Sequence, residues 1–277
     1  MFDFDDLPPP ATPLGTAVAD EQEEEWVLDD KGAADCDEGA RLGVAIARPQ
    51  PLPSAKPPLC ALIVPGMPMK VFGGSRMSDP LLTAVAKRCW VLGLPTVRFD
   101  YTGCGRSVGK EPSFEDGHVV MKRDASRVLR RVLDAHCERV VVIAYSAGNS
   151  MVLHELAAAN AQGKVAAYVS LSMGTRANAL TSEEAASTLT SKEADLSLLP
   201  ADDLELFDSL DVPSLFLLGG QDLITPAVDI AAITQRKSRK TKAELQVLPG
   251  KHAFPGVEDR PADAIKAFLM RALPGGG

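Results

Sequence analysis

The chain has 277 residues, 45% of them hydrophobic, enough for one large α/β domain or two small ones around a buried core. A formal net charge of -8 and a pI near 5.1 argue against a nucleic-acid partner, because such a surface repels phosphates over most of its area. No apolar run approaches the roughly 20 residues of a membrane span, and the start, MFDFDDLPPP, has neither a basic segment nor a long apolar one, so a soluble, cytoplasmic protein is expected.

Residues 1–40 are rich in Asp, Glu and Pro, with the run Glu23-Glu24-Glu25. They read as an acidic, largely flexible arm that buries too little apolar surface to offset its ordering entropy. The triplet Trp26-Val27-Leu28 is the part able to pin the arm as an edge strand. Five cysteines, an odd number without C-x-x-C spacing, read as reduced and mainly packed thiols.

From residue 41 onward, apolar β-rich runs at 42–47, 59–64, 96–101, 140–144, 165–171, 214–218 and 243–248 alternate with segments of helical period. That alternation predicts an α/β fold with a mostly parallel sheet covered by helices. Asp79-Pro80 opens one helix, a side-chain cap followed by Pro, and Gly93 stops it. A second helix sets Ala125, Val128, Leu129 and Val132 on one stripe with basic residues outside it, and a third carries Ile265, Phe268 and Leu269. Residues 174–210 break the rhythm and read as a small, partly helical insertion near the site.

The stretch V-V-V-I-A-Y-S-A-G-N at 140–149 runs from an apolar strand through a sharp turn into a helix. Such a turn forces the central residue into strained backbone, so the positions two before and two after it must be small. Ala144 and Gly148 meet that requirement around Ser146, which becomes the candidate nucleophile. The helix that follows aims amide N–H groups and positive dipole at an anion forming there. An acid and a histidine are then expected after late strands. Asp222 follows the strand at 214–218 through G-G-Q-D, and His252 follows the strand at 243–248 through P-G-K-H. Asp222 could instead serve only as a cap near Thr225-Pro226. The other histidines, His118, His136 and His154, fall in a loop, at a helix end and within a helix. The strand at 59–64 runs into Pro65-Gly-Met-Pro68, which offers the backbone N–H of Met67 as an oxyanion donor beside that of Ala147.

These stretches, P-G-M-P-M-K-V-F-G-G-S-R-M-S-D-P and V-R-F-D-Y-T-G-C-G-R-S-V-G together with A-Y-S-A-G, G-G-Q-D and G-K-H, resemble the α/β-hydrolase superfamily over most of residues 41–273. The nearest likeness is to small serine hydrolases with little or no cap, related to the dienelactone-hydrolase group. The resemblance implies an α/β-hydrolase fold of about eight strands and attack on an ester, thioester or amide carbonyl, with no cofactor and no metal. Family members often have His-Gly or His-Pro where this chain has Pro65-Gly66, and Arg where it has Thr102. Dienelactone hydrolases use Cys where this chain has Ser146.

Two other signals carry less. The run G-C-G-R-S-V-G at 103–109 lacks the third-glycine spacing and following helix of a dinucleotide loop, and reads as a glycine-rich turn. The basic run at 236–242 has no interleaved aromatics and reads as a solvated helix end. The expectation is a serine hydrolase acting on a small acyl substrate through Ser146, His252 and Asp222 and an acyl-enzyme. The rival expectation is a non-catalytic interaction protein on the same fold. Substrate identity and oligomeric state are not encoded in these motifs.

Overall fold

A computed structural model of the chain describes residues 19–27, 41–49, 57–68, 75–113, 117–174, 201–225, 227–238 and 242–273. Eight strands form one sheet: β1 (Ala19–Val27), β2 (Arg41–Pro49), β3 (Leu59–Val64), β4 (Thr96–Phe99), β5 (Arg139–Tyr145), β6 (Val165–Leu171), β7 (Ser214–Gly219) and β8 (Ala243–Leu248), in the spatial order β1-β2-β4-β3-β5-β6-β7-β8. β1 and β2 pair antiparallel, as do β2 and β4, and every other neighbouring pair is parallel.

Parallel neighbours need crossovers, and these place helices on both faces. The period of two along β3 and β5 sorts their side chains between those faces. Leu62, Val64, Val140, Val142 and Ala144 join one core cluster, and Ala61, Ile63, Val141, Ile143 and Tyr145 join the other. α1 (Pro80–Val91) and α6 (Asp259–Ala272) close the second cluster, with Leu81, Val85, Ile265 and Phe268 buried there. α2 (Gly117–Arg131), α3 (Gly148–Ala161), α4 (Ala201–Ser209) and α5 (Ala227–Ser238) cover the first.

The boundary of α1 follows the sequence expectation. The Asp79 carboxylate accepts the Leu81 N–H at 3.0 Å, Pro80 occupies the first turn, and Gly93 leaves the helix at φ +73°. α2 ends differently, because its last turn widens into a π-helical turn at Val132–His136 before β5.

The structure adds three particulars. β1 extends well beyond the Trp26 triplet and pairs along nine residues with β2. Trp26 anchors it, buried, with its ring stacked on His136 at 5.1 Å and the Arg131 guanidinium 4.8 Å from its centre. The rest of the expected arm, residues 1–18 and 28–40, lies outside the described residues, as do residues 175–200 of the expected insertion, whose end forms α4.

The reading of the cysteines as reduced is corrected. Cys60 and Cys137 form a disulfide across 77 residues of sequence, while Cys89 and Cys104 are free and buried. Cys60 lies near the start of β3 and Cys137 just before β5, and the pairing of Leu59 with Arg139 brings their Cα atoms to 5.8 Å, inside the range that a disulfide bridges. Adjacency of two strands distant in the chain is invisible to cysteine spacing.

Candidate active site

β5 delivers Ser146 to the carboxyl edge of the sheet. Its φ is +51°, in the left-handed region that costs a non-glycine residue about 1–2 kcal/mol. The strain is held in place from both sides. The Ser146 N–H donates to the Leu171 carbonyl of β6 at 2.9 Å, and α3 starts two residues later. Gly148 is small by necessity, since a Cβ there would lie 2.4 Å from the Pro65 carbonyl oxygen. Ala144 sits fully buried between Val64 of β3 and Ser170 of β6.

The loops after β7 and β8 bring Asp222 and His252 to this point. The His252 Nδ1–H donates to Asp222 Oδ2 at 2.8 Å, and His252 Nε2 stands 2.8 Å from Ser146 Oγ. A carboxylate only accepts, so Asp222 fixes the proton on Nδ1 and leaves the Nε2 lone pair to accept the serine hydroxyl. Asp222 also caps its own loop, because Oδ1 accepts the N–H groups of Ile224 and Thr225 at 2.9 and 3.0 Å. The histidine contact and the loop contacts thus fall on different carboxylate oxygens. Its side chain is fully buried, and that of His252 is 18% exposed. The Tyr145 ring packs 5.5 Å from the imidazole. The other histidines stay apart from this arrangement: His136 stacks on Trp26, His154 is exposed on α3, and His118 lies on α2, its pKa lowered by burial and by Lys122.

The loop after β3 lies across Ser146. A Cβ on Gly66 would come to 3.0 Å from that of Ser146. The loop is tied at each step, since the Gly66 N–H donates to Ser75 Oγ at 3.1 Å and the Ser75 N–H donates to the Met67 carbonyl at 3.1 Å. Tyr101 Oη–H donates to the Pro65 carbonyl at 3.0 Å, and Arg76 Nη1 donates to that of Pro68 at 2.5 Å. The backbone N–H groups of Met67 and Ala147 have no hydrogen-bond partner among the described residues. Ser75, Arg76 and Tyr101 therefore hold the loop that carries the Met67 N–H, through contacts that the run Pro65-Gly-Met-Pro68 does not announce.

The glycine-rich segment at 103–109 is a turn clasped by Asp100, whose carboxylate accepts the N–H groups of Met77 and Arg106 at 2.8 and 2.9 Å. Ser107 Oγ–H donates to the Asp100 carbonyl at 2.6 Å and accepts the Gly43 N–H at 2.9 Å. Thr102 stands where the resembling family often has Arg, and its N–H donates to buried Asp124 at 2.8 Å. Burial raises the Asp124 pKa against that bond. Among the described residues, no helix is long and apolar enough to cross a membrane.

A model of the alpha/beta hydrolase family matches residues 61–190. Solved structures superpose over nearly the whole chain. Est1E of Butyrivibrio proteoclasticus, with ferulic acid bound, is 20% identical at a TM-score of 0.66, over 86% of this chain and 97% of its own. The Pyrococcus furiosus esterase Pf2001 is 14% identical at 0.63, over 92% and 93%. XC6422 of Xanthomonas campestris, an α/β serine hydrolase without a lid, is 17% identical at 0.57, over 95% and 99%.

The chain has the α/β-hydrolase fold. The superfamily resemblance carried by the elbow and the loop after β3 is borne out, as is the mostly parallel eight-stranded sheet. No curated protein sequence matches the chain. Within this α/β-hydrolase fold, the sequence motifs predict no role for Asn149, which donates to the Ser146 carbonyl, or for Tyr168, which donates to Asn149. Asn149 directly follows the last small residue of the elbow, Tyr168 stands in no motif, and their pairing depends on β6 lying beside β5.

Proposed function

We propose that the chain is a serine hydrolase acting on a carboxylic ester or thioester through an acyl-enzyme. The observation that carries this reading is the unbroken line from Asp222 through His252 to Ser146, 2.8 Å at each step. His252 Nε2 takes the proton of Ser146 as Oγ attacks the carbonyl carbon. Asp222 stabilises the imidazolium that forms, and the N–H groups of Met67 and Ala147 receive the oxyanion. The imidazolium returns its proton to the leaving alkoxide or thiolate. A water molecule, deprotonated by the same imidazole, then releases the acid. The likeness of the chain to a structure named as an esterase supports an acyl ester as the substrate class.

The test is labelling by a fluorophosphonate probe at neutral pH. Wild-type protein is expected to form a covalent adduct at Ser146, and Ser146→Ala to form none. Folded wild type that stays unlabelled overturns the proposal in favour of a non-catalytic protein on this fold.

A further inference from the structure

The carbonyl oxygen of Ser146 is held twice by one residue. Asn149 Nδ2 donates to it at 2.8 Å and the Asn149 N–H at 3.2 Å. That carbonyl belongs to the same rigid peptide plane as the N–H of Ala147, pointing the opposite way. Rotation about ψ of Ser146 is the motion that would swing this plane, and the strained φ of +51° gives the backbone a reason to move.

The Asn149 amide is itself oriented. Tyr168 Oη–H donates to Asn149 Oδ1 at 2.5 Å, and both residues are fully buried. A flipped amide would face its oxygen to the Ser146 carbonyl, setting two acceptors against each other. Burial pushes the Tyr168 phenol well up, so it remains a donor across the working pH range. Its ring is confined in β6 between Phe207 at 5.9 Å and Phe216 at 6.2 Å, and Asn149 sits in the first turn of α3. Both partners thus stand on rigid elements.

We infer that Asn149, oriented by Tyr168, is a positioning residue of the oxyanion hole, which fixes the plane of the peptide between Ser146 and Ala147 and so the direction of the Ala147 N–H. The inference rests on the serine-hydrolase reading above. It goes beyond a role in closing the end of a helix, because it ties a buried side chain to transition-state stabilisation and not to substrate binding.

The experiment measures kcat and KM on p-nitrophenyl acetate, and affinity for an alkyl trifluoromethyl ketone that forms a tetrahedral oxyanion adduct. It compares wild type, Asn149→Leu and Tyr168→Phe. Asn149→Leu is expected to lose about 10- to 100-fold in kcat with KM within about twofold, and ketone affinity falls by the same factor. Tyr168→Phe follows the same pattern with a smaller loss, and decides the matter if the Leu variant does not fold. Folded variants that keep kcat, or that lose kcat while keeping ketone affinity, overturn the inference. An inactive wild type instead sinks the hydrolase reading, so the two failures are distinguishable.

Discussion

Gly66 lies so close over Ser146 that a Cβ on it would come to 3.0 Å from the serine Cβ. The same atom would meet the Tyr145 ring at 3.0 Å, and the two neighbours are the last residue of β5 and the one that follows it. Gly66→Ala should therefore lift the loop that carries the Met67 N–H away from the serine. The expected outcome is a fluorophosphonate labelling rate lower by about tenfold or more, with a stability loss within the roughly 1–3 kcal/mol of overpacking. Stopped-flow labelling and urea denaturation check the two parts, and an unchanged labelling rate would show that the loop yields freely.

Asp222 divides its work between two oxygens, which makes Asp222→Asn informative. Oδ1 is fixed by the N–H groups of Ile224 and Thr225, so an amide there keeps its oxygen toward them and turns its NH2 to His252. The ring must then carry its proton on Nε2, where it cannot accept from Ser146. Turnover should fall on the order of 10⁴-fold with KM little changed, and the loop should hold, leaving the melting temperature close to wild type. A loss below about tenfold would mean that tautomer control is not what this carboxylate supplies.

Burial raises the pKa of Asp124 from its ordinary 3.8, so the folded chain holds this proton more tightly than the unfolded one. Its contribution to stability is full below the ordinary value and is lost as pH rises through the folded one. The urea midpoint of wild type, measured against Asp124→Asn, should accordingly decline as pH rises above the ordinary carboxyl value of 3.8. The amide can still accept the Thr102 N–H, so the comparison isolates the charge. A difference that is flat with pH, or that runs the other way, contradicts the assignment.

Cysteine chemistry separates the disulfide from the free thiols. Alkylation in denaturant without reductant should modify Cys89 and Cys104 and spare Cys60 and Cys137, and prior reduction should add those two. In the folded protein Cys89, its pKa pushed up to about 12 by burial, and Cys104, pushed up to about 11, should resist iodoacetamide at pH 8. Replacing Cys60 and Cys137 by Ser together should cost roughly 2–4 kcal/mol in unfolding free energy. Adducts at Cys60 and Cys137 without reductant would remove the bridge from the account.

Much of the architecture was legible because its signals are local. Asp79-Pro80 starts α1 and Gly93 ends it, and the apolar runs at β3, β5, β6 and β7 are buried as strands covered on both faces must be. The elbow around Ser146 was readable for the same reason, since a sharp turn imposes its small residues within five positions. What escaped depends on strands meeting. The bridge from Cys60 to Cys137 follows from β3 lying beside β5, the Tyr168 contact to Asn149 from β6 lying beside it, and the Ser75 tie to Gly66 from the return of a loop. None of these has a period or a spacing to announce it. The length of β1 escaped differently, because its Glu-rich stretch has the composition of a solvated tail and is held as a strand by pairing with β2 and by Trp26 beneath Arg131.

The sulfur bridge fastens β3 and β5 near their amino ends, and Ser146 and the loop proposed to receive the oxyanion leave the same two strands at their carboxyl ends. Durability and reactivity are therefore anchored at opposite poles of one pair of strands. Reducing the bridge should shorten the working life of the molecule while leaving each turnover as fast as before.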